Sequence, residues 1–454
     1  MAEKVVIIGG GAGGCKTAAK LRRENPSAKI DLYTDEDIIS YSACGLPYYV
    51  EGIIKSHKTL MIRKPEDFEK QNISIHLKHK CINIDTKSKQ IKILKLDTKE
   101  EINICYDILV IATGASPNMP EIKNIRANNI YTLRTISDGI KIREKMLKSK
   151  KALILGGGYI CVEMLEAFVH NGLDVIVIER NPLFLKVFDD DFSEIIKDTI
   201  IKESKTKVEI LTNEDILELI KNDKNEVYKA ITKSNKEIEM DFVLLATGVK
   251  PNTDFLKNTD IKLGVNNAIK VSNTLKTSKA GIYAVGDCCE KFNLITNRNV
   301  WIPLGSTANK EGRCAAINIS GNNCYFEGVL NSTITKYFDY TIAIIGLSYK
   351  EACKLGFQPE FATVTKKDRA GYMPNPETFT LKLIADRNTR MILGIQAFGK
   401  GNVNQRINTV IPAIFSRTKI DDFMNLDIPY APPFSPSIDS VLNAAQLLYK
   451  KLDF

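Results

Sequence analysis

The chain has 454 residues, 44% apolar and 26% charged, ordinary globular material for two or three domains with no long stretch suited to disorder. Its net charge of +9 is dispersed, as in the Lys-rich segment 87–99, so a nucleic-acid reading has neither a clustered basic face nor a motif, while an anionic small-molecule substrate is well served. No apolar run is long enough to span a bilayer, and the short apolar strand after Met-Ala-Glu-Lys lacks the form of a secretory signal. A cytoplasmic protein is expected, its ten cysteines mostly reduced.

In chain order, the strand Val5 to Ile8 runs into Gly9-Gly10-Gly11-Ala12-Gly13-Gly14. Glycines 9, 11 and 14 satisfy Gly-x-Gly-x-x-Gly, and a helix pattern follows through Ala18, Ala19 and Leu21 to a stop near Asn25-Pro26. Strand, tight glycine turn and helix N-terminus together make a dinucleotide pyrophosphate site. Lys16, Lys20 and Arg23 share one face of that helix. The next strand, Ile30 to Tyr33, should end in an acid for the ribose; Thr34 stands there, with Asp35 beside it as the substitute. His76, His79 and Cys81 read as strand residues with lysine between them, and no metal site is expected.

A second copy begins at Lys151. The strand Ala152 to Leu155 leads into Gly156-Gly157-Gly158-Tyr159-Ile160-Cys161, with Cys161 in place of the third glycine. A helix follows through Glu163, Leu165, Ala167 and Phe168. The strand Asp174 to Ile178 then ends in Glu179, an acid that accepts both ribose hydroxyls and repels a 2′-phosphate, whereas Arg180 would meet that phosphate. Two such units predict two nucleotides, one held flavin and one exchangeable nicotinamide. Contacts are expected from Gly9, Gly11, Ala12, Gly14, Thr34 and Asp35 in the first unit. In the second they are expected from Gly156, Gly158, Tyr159, Ile160, Glu163 and Glu179.

Three further segments are Ile111-Ala112-Thr113-Gly114-Ala115, Leu245-Ala246-Thr247-Gly248-Val249 and Ile282-Tyr283-Ala284-Val285-Gly286-Asp287. Together with the glycine loops they resemble the pyridine nucleotide–disulfide oxidoreductase superfamily over nearly the whole chain. The resemblance implies an α/β fold with two Rossmann-like three-layer nucleotide-binding domains and a C-terminal α+β dimerisation domain. It implies an FAD domain from residues 1–115 and 246–325, an NAD(P)H domain from 116–245, and dimerisation through 326–454, hence a homodimer. It also puts Ala112, Thr113, Gly114, Gly248, Gly286 and Asp287 at the cofactors, with Asp287 on the ribitol chain.

The segment Ser40-Tyr41-Ser42-Ala43-Cys44-Gly45-Leu46-Pro47-Tyr48 resembles the single-cysteine branch, most closely the coenzyme A disulfide reductases. Tyr49 occupies the place of the second cysteine, so Cys44 must cycle through a mixed disulfide with a small thiol or through a sulfenic acid. Cys44 is expected to open a helix whose N-terminus favours a thiolate. Gly371-Tyr372-Met373-Pro374 and Tyr430-Ala431-Pro432-Pro433-Phe434-Ser435 match the same family, which implies catalytic roles for Tyr372 and Tyr430, lent across the dimer. Substrate contacts are implied at Lys16, Lys20, Arg23, Ser40, Ala43 and Asn309.

The implied activity is FAD-dependent reduction of coenzyme A disulfide to two coenzyme A thiols at the expense of NADH or NADPH. A persulfide or polysulfide reductase of the same branch is an alternative, the 454 residues being expected to hold the core enzyme without a rhodanese-like extension. An NADH oxidase is another; Ala12 stands where those relatives carry a histidine. A flavin-bearing redox sensor is a third. Cys288 and Cys289 read first as packing residues.

Overall fold

Two parallel sheets account for most of the chain up to residue 284. In this computed structural model, residues 3–453 are described; residues 1, 2 and 454, the outer ends of the first and last expected domains, lie outside them. The first sheet has the order Ile282–Ala284, Ile108–Ile111, Lys4–Ile8, Lys29–Tyr33, Ile73–His76. The second has the order Val208–Thr212, Asp174–Glu179, Lys151–Leu155, Phe242–Leu245, Ile130–Thr132. Their strands are near-continuous apolar runs because helices and loops cover both faces. Val5, Val6 and Ile7, and Leu153 and Ile154, are fully shielded.

In each sheet the strand before the glycine loop is central, with its successor on one side and an Ala-Thr-Gly strand on the other. That reversal of strand order opens a crevice at the carboxyl ends of the strands, where doubly wound sheets bind ligands. An antiparallel pair, Ala115–Pro117 with Val249–Pro251, carries the chain between the two units. Each unit also bears a three-stranded antiparallel meander, 79–105 and 216–239. The Lys-rich segment lies in the first of these, where Lys92 pairs with Glu101 at 3.1 Å and Lys95 with Glu100 at 2.7 Å.

The C-terminal part is a five-stranded antiparallel sheet in the order Thr333–Tyr337, Tyr340–Gly346, Ile392–Gly399, Thr378–Asp386, Pro359–Lys367. The helices Val403–Phe415 and Ser440–Leu452 share its apolar core through residues such as Val403, Ile407, Val441 and Leu448. A buried carboxylate ties this sheet to the second nucleotide unit. Asp189 accepts from the backbone of Tyr349 (3.2 Å) and Lys350 (3.1 Å), from Gln396 Nε2 (2.6 Å) and from Lys382 Nζ (3.2 Å). Among the described residues no helix is long and apolar enough to cross a membrane.

Candidate active site

The two glycine loops fold alike for the same steric reason. Gly9 has φ +114° and Gly156 φ +104°, and a Cβ on either would fall well inside 3.0 Å of a carbonyl oxygen, that of Ala112 or Ala246. The first glycine of each loop thus lets its backbone rest on the Ala-Thr-Gly strand. The second glycine does the opposite. Gly11 and Gly158 have no atom within 4 Å of a built Cβ, and each is the N-cap of the following helix without a side-chain cap. The helix N-termini at Ala12–Glu24 and Tyr159–His170 therefore present free backbone N–H groups to open space, which fits the pyrophosphate of a bound dinucleotide. Cys161, in the place of the third glycine, is fully buried.

Around the first loop the structure assembles most of the segments singled out in the sequence. A Cβ on Gly13 would lie 3.7 Å from the Gly286 nitrogen, and one on Gly114 would lie 3.1 Å from Arg134 Nη2. Arg134 pairs with Asp287 at 3.0 Å, and Trp301 Nε1 donates to the Asp287 carbonyl at 2.8 Å. Thr113 Oγ1 donates to the Asn252 carbonyl at 2.8 Å, which ties the first Ala-Thr-Gly strand to the crossover. Thr34 is buried beside Gly10, Asp35 is exposed, and the neighbouring Glu36 is half-buried and accepts from the Tyr41 hydroxyl at 2.7 Å. Burial pushes the Glu36 carboxyl up. His76 stacks on Tyr33 at 4.3 Å.

The second loop borders a cavity of about 800 Å³ lined by Gly156, Gly158, Tyr159, Glu179, Arg180 and Gly248 among others. Glu179 is buried and accepts from the Gly157 nitrogen at 2.6 Å and the Asn181 nitrogen at 2.7 Å. The acid at the strand end is thus fixed by the loop it serves. Tyr159 hydrogen-bonds Thr333 Oγ1 at 2.5 Å, and Glu163 accepts from Thr335 Oγ1 at 3.2 Å. These bonds seat the helix on the edge strand of the C-terminal sheet. Ile160 packs against the adjoining core.

Cys44 lies within reach of charges from both nucleotide units. It does not open the helix: it is the middle residue of a 3₁₀ turn, Ala43–Gly45, ahead of a six-residue helix, Leu46–Glu51, whose N-cap is Gly45. The expected thiolate is not favoured either. Cys44 is solvent-accessible, yet desolvation, then the charges of Glu163 and Asp287, push its thiol up, with Arg134 opposing. Burial is the larger cause, and the two carboxylates from distant segments add to it.

The proposed substrate residues fall into two groups. A Cβ on Gly305 would lie 3.8 Å from Cys44 Sγ, and Asn309, one helical turn beyond Gly305, donates its Nδ2 to the Gly305 carbonyl at 3.1 Å. Ala43 is exposed beside it. Ser40 has φ +52° and donates its N–H to the Gly10 carbonyl at 3.0 Å, joining the cysteine segment to the first loop. Lys16 lies against the helix Gly305–Ile319 at Gly312, whereas Lys20 is paired with Glu24 and Arg23 is exposed at the helix end. Tyr372 and Tyr430 lie against one another in C-terminal loops, 76% and 48% exposed, apart from the charged groups acting on Cys44.

Residues 3–312 match the family described as pyridine nucleotide-disulphide oxidoreductase, and residues 332–441 match its dimerisation domain. The chain belongs to this family. The oxidoreductase is 33% identical to the NAD(P)H coenzyme A polysulfide/persulfide reductase of Pyrococcus horikoshii, over 99% of both chains. It is 29% identical to the coenzyme A disulfide reductase of Staphylococcus haemolyticus, over 97% of this chain and 98% of that one. The water-forming NADH oxidase of Lactobacillus brevis, solved with NADH, superposes with a TM-score of 0.95 at 26% identity, covering 100% of this chain and 99% of that one. The protein is an FAD-dependent NAD(P)H oxidoreductase, and its glycine cradles suit both cofactors. Sequence reasoning missed Arg134 and Glu36. Neither lies in a glycine or cysteine motif, and only the fold brings Arg134 to Asp287.

Proposed function

We propose that this oxidoreductase reduces coenzyme A disulfide to two coenzyme A thiols through a mixed disulfide on Cys44. The observation that carries the reading is an accessible thiol at the meeting point of both nucleotide units, with Tyr49 where a resolving cysteine would stand. Similarity to the staphylococcal coenzyme A disulfide reductase supports it. FAD is assigned to residues 1–115 and 246–325, NAD(P)H to 116–245, and homodimer contacts to 326–454.

FAD, which the Gly9–Gly14 loop and Asp287 would hold, would supply the electron pair drawn from NAD(P)H. The Cys44 sulfur bonds one sulfur of the incoming disulfide while the other leaves as a coenzyme A thiolate. The supplied electron pair then breaks the Cys44–coenzyme A bond, releasing the second thiolate and restoring Cys44. Arg134 is the cation that offsets charge at Cys44 in this protomer. Tyr372 and Tyr430, exposed here, are assigned to the partner subunit's active site, where their hydroxyls give a proton to the departing thiolate. Lys16 and Arg23 are assigned to the coenzyme A phosphates.

A coenzyme A persulfide or a polysulfide would use the same cysteine, a reading favoured by similarity to the Pyrococcus protein. The test is the intact mass of protein purified without thiols and denatured, compared with Cys44→Ser. A coenzyme A adduct on the native protein and not on the variant is expected, and turnover with coenzyme A disulfide against polysulfide then ranks the substrates. An unmodified or singly oxygenated Cys44 would overturn the mixed-disulfide reading.

A further inference from the structure

Behind the turn that carries Asp287 lies an ion pair closed off from solvent. Lys291 Nζ is 3.1 Å from Glu311 Oε1, with side chains 1% and 0% exposed. Burying two charges is seldom more stable than packing apolar side chains of the same volume, so what this pair touches is informative. Glu311 Oε2 accepts from the Gly286 N–H at 2.6 Å, and Lys291 Nζ donates to the Gly286 carbonyl and, at 2.9 Å, to the Cys289 carbonyl. Both polar groups of one glycine are thus held by one acid and one base.

Gly286 needs such support. It has φ +80° and leaves the strand Ile282–Ala284 for a 3₁₀ turn, where its carbonyl accepts the Cys289 N–H at 3.2 Å and its N–H has no ladder partner in the sheet. The next residue is Asp287, whose carboxylate meets Arg134 and whose carbonyl receives Trp301. Glu311 is followed by Gly312, where a Cβ would fall inside 3.0 Å of the Gly13 carbonyl oxygen. The helix that holds Gly286 is therefore seated against the first glycine loop by the very next residue.

We propose that Lys291 and Glu311 are positioning residues for the flavin: their pair fixes both peptide groups of Gly286 and thereby aims Asp287 into the cofactor site. The proposal rests on the assignment of Asp287 to that site. The pair acts through the backbone and does not touch the reacting atoms.

The test compares wild type, Glu311→Gln and the double variant Lys291→Met/Glu311→Gln. The single variant strands a buried ammonium and serves to show the coupling; the double variant is neutral, matches the volume and keeps an acceptor for Gly286. In the double variant FAD is expected to dissociate about tenfold faster, equivalent to ~1.4 kcal/mol. The bound flavin's visible absorption and midpoint potential are expected to shift, while the FAD-stripped protein melts as the stripped wild type does. Unchanged FAD release with an unchanged spectrum would overturn the proposal. So would faster release matched by an equal loss of stability in the stripped protein, which would make the pair merely structural. The flavin assignment fails separately, if wild type itself takes up no FAD.

Discussion

The opposite surroundings of Gly9 and Gly11 separate folding from cofactor binding at two positions only two residues apart. Gly9→Ala places a methyl well inside 3.0 Å of the Ala112 carbonyl oxygen at φ +114°. Strain of about 1–3 kcal/mol for the backbone adds to about 1–3 kcal/mol for overpacking, a large share of a stability of roughly 5–15 kcal/mol. Gly11→Ala meets nothing within 4 Å, and its φ of −78° suits any residue, so stability should stay within about 0.5 kcal/mol. Its methyl enters the space before the uncapped helix N-terminus. Losing about two charge-assisted bonds to the pyrophosphate there, at ~1.5 kcal/mol each, weakens FAD binding about a hundredfold. Urea denaturation of the stripped proteins, followed by circular dichroism, measures the first effect, and FAD titration of the same samples measures the second. A Gly11→Ala protein that binds FAD like wild type, or a Gly9→Ala protein as stable as wild type, would refute the reasoning. Gly156→Ala and Gly158→Ala should repeat the contrast for the nicotinamide.

Glu163→Gln removes the larger of the two carboxylate effects that raise the Cys44 thiol; iodoacetamide should then label Cys44 faster at neutral pH than in wild type, and equal rates would contradict it. Glu166 is buried beside Lys336, and desolvation lifts its carboxyl from 4.5 to about 7. A raised acid stabilises the fold fully below the unfolded value and loses that contribution as pH rises through the folded one. Glu166→Gln should therefore flatten the fall in stability between about pH 4.5 and 7, read from denaturation midpoints across that range. Asp189→Ala takes the acceptor from the Tyr349 and Lys350 N–H groups and from Gln396, while Lys382 keeps Asp191 as its carboxylate; a loss of about 1–3 kcal/mol for each buried donor left unpaired is expected from denaturation midpoints.

What the sequence disclosed depended on the range of the constraint. The glycine loops were legible because strand, turn and helix are consecutive, and the need for Gly at positions 9 and 156 arises within that unit and its neighbouring strand. The Ala-Thr-Gly and Gly-Asp segments were legible only through their order along the chain. Arg134 meets Asp287, and Lys291 and Glu311 meet Gly286, through contacts the fold creates, and a charged residue in such a place looks like any surface residue when read in line. Cys288 and Cys289 are fully buried as expected of packing residues, but the Lys–Glu pair beside them left no periodic or motif signal. The state of Cys44 was misjudged for the same reason. The local cue was a helix start, whereas the thiol is raised by burial and then by the charges of Glu163 on the second nucleotide helix and Asp287 in the 3₁₀ turn after the strand Ile282–Ala284.

That misjudged charge bears on the chemistry. A fold shared with a water-forming NADH oxidase at a TM-score of 0.95 does not choose the reaction, so the choice falls to the groups around Cys44. Desolvation and two carboxylates penalise the thiolate there, and a state with an uncharged sulfur escapes that penalty. A thiol is one such state and a mixed disulfide is another. When a thiolate does form, its high proton affinity makes it a strong nucleophile toward a disulfide and a poor leaving group compared with a more acidic small thiol. The same environment thus favours attack by Cys44 and retention of the adduct until electrons arrive. A peroxide-cleaving role would instead call for a local proton donor, and the Ala12 side chain in the first glycine loop cannot supply one.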